Sequence, residues 1–480
     1  MWIVEKILEL LPKRSPSKPY EIVSSLATPK INYLINDPTT PTLRAKISPA
    51  GMSSLKFRVQ GWTGKPTDQQ VSNCYVTVAN GIHATQKIER VIGRWASGRP
   101  LNVLPKARKG LNAYYDRRNL VFFFERDPKT KRMVYTSDSS DIVAHELGHA
   151  LLDAQRPDFW STQAPEIWAF HEAYADITAM FHLMQYDEAL KYALKETDGN
   201  LRKPNVISRL AEEMGNAIFN VTGGKGGRKP GALRNATNEF KYAPPNKLPK
   251  NAPDDKLASE CHSYGRVFLG TWYAILVEFY EYDRGKQTKS VDALKKARDR
   301  AFKYLRQGIR LTPRVPRYHQ ALARSMLLGA EQPYKKIMNN VFRRRRILKS
   351  KIKILSKTDI ELRQILSSTE HVERVENGTA VRVPSSKTIK LADYIPDGFV
   401  SSLSVGDYDL ADLEIEVANE SYYEFDNKGN LVEENVASIG QIVNDARLCA
   451  LMIQNQNAIG PEEDKMWEVQ KGKLVRTFIE

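Results

Sequence analysis

Apolar residues change rhythm along this chain. Beyond residue 140 they recur at helical spacing: Ile142, Val143, Leu147, Ala150, Leu151 and Ala154 predict a helix over 141–154, with serines ahead of it to cap its start. Gln163–Tyr186 reads as a second helix with Pro165 in its first turn. Tyr264–Tyr282 is apolar almost all round, the pattern of a buried helix, and two or three more helices fill 292–342. Ahead of residue 140, runs dense in Tyr, Val and Phe predict strands at Leu55–Val59, Tyr75–Val78, Leu111–Tyr115, Leu120–Glu125 and Met133–Thr136, with a helix at Ala84–Trp95. Residues 1–55 read as a largely irregular leader that opens on a short amphipathic helix. Thr222–Lys256 holds ten Gly and Pro residues and is too long for a plain connector. After residue 354, hairpins are predicted at Tyr422–Val432 and Trp467–Ile479, with a helix at Ser438–Ile453.

Length and charge add a division to this pattern. At 480 residues the chain has room for two or three cores. Its composition, 41% hydrophobic and 27% charged, is globular and argues against wholesale disorder. The net charge of +16 is unevenly spread, because residues 354–480 carry −11 and the remainder +27. The break falls just after Arg343–Arg346, so an acidic segment is expected to follow a basic one. That basic run suits nucleic acid or an anionic surface, but a solvated helix end docked on the acidic segment is the plainer reading. The acidic segment itself is expected either to pack as a permanent accessory unit, the favoured outcome, or to cover a basic cleft. No apolar stretch approaches the length of a membrane span, and no signal peptide is evident, which points to a cytoplasmic protein. Cys74, Cys261 and Cys449 are odd in number and far apart, so a disulfide framework is not expected.

The chemistry concentrates at His145-Glu146-Leu147-Gly148-His149. Residues four apart on a helix differ by about 40° in azimuth, so both imidazoles leave one face and can share a metal ion, with Zn²⁺ the natural guest. Glu146 lies beside such an ion without ligating it, where it can take a proton from water. In the second helix, Glu172 and Asp176 stand four apart among almost wholly apolar neighbours. Burying two carboxylates costs several kcal/mol each unless a cation or strong hydrogen bonds compensate. A metal beside Glu172, with Asp176 holding a ligand imidazole, supplies that compensation. Glu166 and His171 remain alternatives for the third ligand.

Together these segments resemble the thermolysin-like zinc metallopeptidases, the gluzincins, in which HExxH pairs with a downstream Glu in an E-x-x-x-D helix. The match covers roughly residues 105–285 and places the third ligand on Glu172 and its supporting acid on Asp176. Leu111-Asn-Ala-Tyr-Tyr115 resembles the family's substrate-binding edge strand, carrying over Asn112 and Ala113. Ala232-Leu-Arg-Asn235 resembles the segment whose Arg holds a substrate carbonyl, implicating Arg234, and Cys261-His-Ser-Tyr-Gly265 the segment of the catalytic His, implicating His262. Two family features are missing. The cleft Tyr has no counterpart in Arg156-Pro-Asp-Phe-Trp160, and the acidic cluster that binds calcium is absent, so calcium is not implied.

The resemblance implies a zinc endopeptidase acting on peptide or protein substrates, with an α+β, two-lobed fold. Residues 56–155 would form an N-terminal α+β lobe, 156–345 a helical lobe, and 354–480 an added acidic α+β unit. The competing expectation is an inactive scaffold of this kind that binds nucleic acid or an acidic partner. The intact Glu146 favours the enzyme, because a scaffold has no need of it.

Overall fold

The computed structural model describes residues 31–39, 43–47, 55–66, 68–88, 93–225 and 228–348. Beyond these it describes 371–375, 378–383, 388–390, 404–405, 408–409, 413–418, 420–426, 431–436, 439–457, 467–471 and 473–477. The amphipathic helix expected over the first eleven residues lies outside them.

The architecture is α+β. It opens with a hairpin, β1 (Ile31–Leu34) and β2 (Arg44–Ile47), paired from Ile31↔Ile47 to Leu34↔Arg44. This hairpin lies within the stretch expected to be a largely irregular leader. Ile31, Tyr33 and Ile35 alternate into the main core, and Tyr33 Oη reaches Thr77 and His182 at 2.8 and 2.7 Å. Next come β3 (Phe57–Val59), α1 (Gln69–Ile88), β4 (Leu101–Lys109), β5 (Ala113–Tyr115), β6 (Asn119–Arg126) and β7 (Met133–Tyr135). The sheet order is β3-β4-β6-β5, with β7 also on β6; β3, β4 and β6 are parallel, while β5 and β7 run antiparallel to β6.

Two expectations fail here. Tyr75–Val78 is helical, inside α1, because Val71, Cys74, Val78 and Ile82 bury one face at helical spacing that outweighs local strand propensity. The same helix takes in Ala84–Ile88 of the one expected at Ala84–Trp95, residues 89–92 lie outside the described residues, and Trp95 donates from Nε1 to the Lys56 carbonyl.

The central layer is helical. α2 (Ser140–Gln155) and α3 (Pro165–Leu183) cross with the two-residue strand β8 (Thr162–Gln163) between them in sequence, and all nineteen residues of α3 are buried. Then follow α4 (Asp187–Glu196), β9 (Arg209–Leu210), α5 (Glu212–Thr222), β10 (Arg234–Asn235), α6 (Cys261–Arg284), α7 (Val291–Leu311), α8 (Tyr318–Leu328) and α9 (Tyr334–Arg344). Two glycines set how closely the central three helices approach. A Cβ on Gly148 would lie 2.6 Å from the Ala175 Cα across the α2–α3 contact, and one on Gly265 would lie 2.7 Å from the Ala169 carbonyl across α3–α6. Larger residues cannot occupy these contacts without moving backbone.

The C-terminal part holds β11 (His371–Val375), β12 (Gly378–Val383), β13 (Thr388–Lys390), β14 (Ser404–Val405), β15 (Tyr408–Asp409), β16 (Glu414–Val417), β17 (Ser421–Asp426), β18 (Leu431–Val436), α10 (Ile439–Asn457), β19 (Trp467–Gln470) and β20 (Lys473–Arg476). One antiparallel sheet runs β11-β12-β17-β18, and another runs β13-β16-β20-β19. The second sheet extends into the helical layer, because β16 pairs in parallel with β8 through Glu416↔Thr162 and Val417↔Gln163. A shared core joins Trp168 and Cys261 to Ile415, Val417, Cys449 and Trp467. At its margin Arg314 binds Glu416 and meets Glu420 Oε1 at 3.1 Å; its backbone N–H donates to Glu420 Oε2, and its carbonyl accepts from the Glu420 N–H. The acidic segment therefore packs against the helices through a continuous sheet, a common core and buried charge pairs. The basic run ahead of it is partly spent internally: Arg345 donates to the carbonyls of Asn238 and Phe240, and Arg344 meets Glu278 at 2.8 Å.

Among the described residues no helix is long and apolar enough to cross a membrane. The three cysteines are free and buried.

Arg314→Ala is expected to lower stability by about 3 kcal/mol, because it strands Glu420 in the interior without its cation. Urea unfolding of the full chain checks this, and a loss below about 0.5 kcal/mol, the scale of a surface substitution, would contradict the docking described above.

Candidate metal centre

The helix crossing brings three donors together. His145 and His149 leave the same face of α2, and Glu172 faces them from α3. Their Nε2 atoms are 3.1 Å apart, with Glu172 Oε2 3.5 Å from His145 and Oε1 3.7 Å from His149. Tetrahedral ligands about 2.0–2.1 Å from a zinc ion stand roughly 3.3 Å from one another. All three donors are buried, and Glu172 Oε2 has no hydrogen-bond partner among the described residues. Such a carboxylate needs a cation. The group can hold a metal ion, and two imidazoles with one carboxylate suit zinc.

The supporting contacts orient the ligands. His145 Nδ1 lies 2.8 Å from Asp176 Oδ1, so its proton sits there and Nε2 turns to the metal position. Asp176 is in turn gripped by Arg234, whose Nε is 2.9 and 2.7 Å from its two oxygens. Burial opposes ionisation of Asp176, yet Arg234 and His145 outweigh it and hold the carboxyl below its usual range. Burial likewise opposes protonation of His145, but the bond to Asp176 and the nearby Glu172 carboxylate raise its pKa to about 9 in the metal-free protein. A metal ion must therefore displace a proton to bind. Burial and neighbouring His145 push His149 the other way, well below the usual range.

His149 has an unforeseen partner. Its Nδ1 lies 3.3 Å from Nδ1 of His171, a fully buried residue whose own pKa is lowered by burial. His171 was an alternative third ligand from sequence; its ring instead stacks behind His149. The other alternative, Glu166, accepts from Tyr242 Oη and the His319 backbone N–H, and burial raises its pKa to about 7. It is occupied as a structural acid.

Beside this group opens a cavity of about 450 Å³. Asn112, Ala113, His145, Glu146, Arg234 and His262 all face it, so the edge strand, the candidate base and the candidate catalytic histidine meet in one cleft. Its lining residues all lie between Leu111 and Arg266, and no described residue of the acidic segment is among them. Asn112 turns its Oδ1 onto the Ala113 N–H at 2.8 Å, and β5 is braced on α2 by Tyr115 Oη and Arg117, which donate to Asp153. Arg234 reaches the cleft while bound to Asp176.

Two residues of the site had no prior role. Glu260 caps α6, accepting from the His262 and Ser263 backbone N–H groups, and fixes His262 Nδ1 at 2.6 Å. This leaves His262 Nε2 facing Glu172 Oε2 at 3.4 Å. An acid immediately ahead of a predicted helix was the available signal. Trp160 ends the stretch in which the resemblance found no cleft Tyr, and its Nε1 donates to the Arg476 carbonyl at 2.9 Å. Its single donor anchors the acidic segment and does not enter the cleft.

Comparison with protein-family models and with curated proteins returned no match.

His171→Ala would leave His149 without its supporting ring and is expected to weaken metal binding about 10–100-fold. Competition against a chromophoric chelator measures this; unchanged affinity would show that His171 merely fills space.

Proposed function

We propose that this chain is a zinc-dependent endopeptidase built as a two-lobed peptidase of the thermolysin kind, with the sheet and the helical layer on either side of α2. The observation that carries the reading is the buried His145–His149–Glu172 triangle with Glu146 on the wall of the adjoining cleft. Neither feature alone would suffice: the triangle can hold a metal for structural reasons, and an acid in a cleft is common.

Bound zinc would supply Lewis acidity, bringing the pKa of a coordinated water to about 7 and polarising a peptide carbonyl. Glu146 does the proton work: it takes a proton from the attacking water and delivers it to the departing amine. His262, steadied through Nδ1 by Glu260, donates from Nε2 to the oxygen that gains negative charge. With Trp160 turned away, His262 carries that task without the second donor found in the family. Asn112 and Ala113 receive the substrate backbone as an added strand. Arg234 holds Asp176, and through it His145, at the point where it could also reach a substrate carbonyl.

The scaffold alternative, with nucleic acid or an acidic protein on the basic run, gains less support. Arg344 and Arg345 are engaged within the chain, and a scaffold leaves Glu146 unexplained.

Glu146→Gln should retain bound zinc and lose about 10²-fold or more in peptide hydrolysis. Glu172→Ala should lose zinc, whereas Glu166→Ala should keep it. Hydrolysis at the wild-type rate by Glu146→Gln would refute the mechanism, and full zinc content in Glu172→Ala would remove Glu172 from the ligand set.

A further inference from the structure

Glu172 belongs to a second group of donors. One ligand atom from each of Glu172, Cys261 and His262 lies within 4.8 Å of the others, at the point where α6 begins against α3. Cys261 Sγ is 3.6 Å from His262 Nδ1 and 3.2 Å from Glu260 Oε1. Because Glu260 already engages His262 Nδ1, Nε2 is the nitrogen turned toward Glu172 Oε2. Their 3.4 Å separation is longer than a good hydrogen bond, and Oε2 has no such bond among the described residues. Glu172 thus presents Oε1 toward His149 and Oε2 toward both His145 and His262. His262 lines the cleft, which gives an ion a way in.

We propose that Cys261, His262 and Glu172 form a second, inhibitory metal site that takes thiophilic divalent ions such as Zn²⁺ or Cd²⁺, with Glu172 shared between the two sites. A thiol sulfur, an imidazole nitrogen and a carboxylate oxygen form a donor set that these ions favour over Mg²⁺ or Ca²⁺. Binding breaks the Cys261 S–H bond as the metal–sulfur bond forms and displaces the His262 Nε2 proton as the metal–nitrogen bond forms; both protons leave to solvent, and no electron transfer is involved. Glu172 and Glu260 offset the charge of a second cation. Arg476, stacked between Trp168 and Trp467 nearby, opposes it, so this site is the weaker of the two. An ion here engages His262 Nε2 and withdraws it from the cleft. Only that inhibitory consequence rests on the peptidase reading; the binding does not.

The test uses the full chain loaded with one equivalent of Zn²⁺ and titrated with Cd²⁺, following the ultraviolet thiolate-to-cadmium band and bound metal together. One further equivalent should bind with the band, and hydrolysis of a small peptide should fall about 10²-fold as it does. In Cys261→Ser the first equivalent should remain, while the band, the further equivalent and the inhibition all disappear. In His149→Ala, which damages only the first site, the band should persist. Absence of the band in the wild type, or its survival in Cys261→Ser, would overturn the second site. A band without any zinc held by His145 and His149 would instead overturn the peptidase reading and leave the second site standing.

Discussion

The close approach of three helices governs everything else in this protein. Gly148 lets the α2 backbone come against Ala175, and Gly265 lets the start of α6 come against Ala169. A side chain at either contact would separate the helices by an ångström or more. The triangle of donors tolerates no such change, because its members come from α2 and α3 and its companion His262 comes from α6. The glycine between His145 and His149 is therefore a packing residue, and the histidines beside it depend on that packing for their alignment.

Bringing those helices together buries an unusual amount of charge. Glu172, Asp176, His145, His149 and Arg234 share one small volume, where unpaired ions would cost several kcal/mol each. The chain resolves most of this itself, since Arg234 answers Asp176 and Asp176 answers His145. Glu172 is the residue left over. Its nearest donors stand 3.4–3.7 Å away, too far to satisfy it and well placed to share an ion with it. The same oxygen, facing His145 and His262 without a hydrogen bond among the described residues, argues both for a metal at the histidine pair and for the second donor group at Cys261.

Much of this core was legible in the sequence, for a definite reason. Histidines four apart and carboxylates four apart on two strongly patterned helices are local signals, and the helices around them are long enough for periodicity to decide. Where a propensity and a period disagreed, as at Tyr75–Val78, the longer-range burial of one helix face prevailed. The contacts that could not be read were those made across the chain. The stacking of His171 behind His149, the Glu260 cap on His262, and the bond from Trp160 to Arg476 leave no local trace of their partners. The pairing of β8 with β16 rests on two residues in each strand, separated by about 250 positions, and no pattern of alternation could announce it. The hairpin at Ile31–Ile47 was hidden differently: its Pro- and Thr-rich turn disguised a strand with alternating buried residues.

The acidic segment belongs to the same account. Its charge left a cover over a basic cleft open beside the favoured permanent packing, and its described residues lie against α3, β8 and the start of α6, with Trp160 and Trp168 committed to the contact. These described residues buttress the helices that hold Glu172 and His262, and none of them lines the cleft. What remains central is whether the buried triangle holds zinc and whether that zinc is needed for peptide cleavage. The direct measurement is metal content of the dialysed full chain, taken with digestion of an unfolded protein such as casein before chelation, after it, and after zinc is returned. The account predicts about one zinc per chain and activity that vanishes on chelation and returns with the metal. A metal-free protein that digests casein, or a zinc-loaded one that never does, would contradict it.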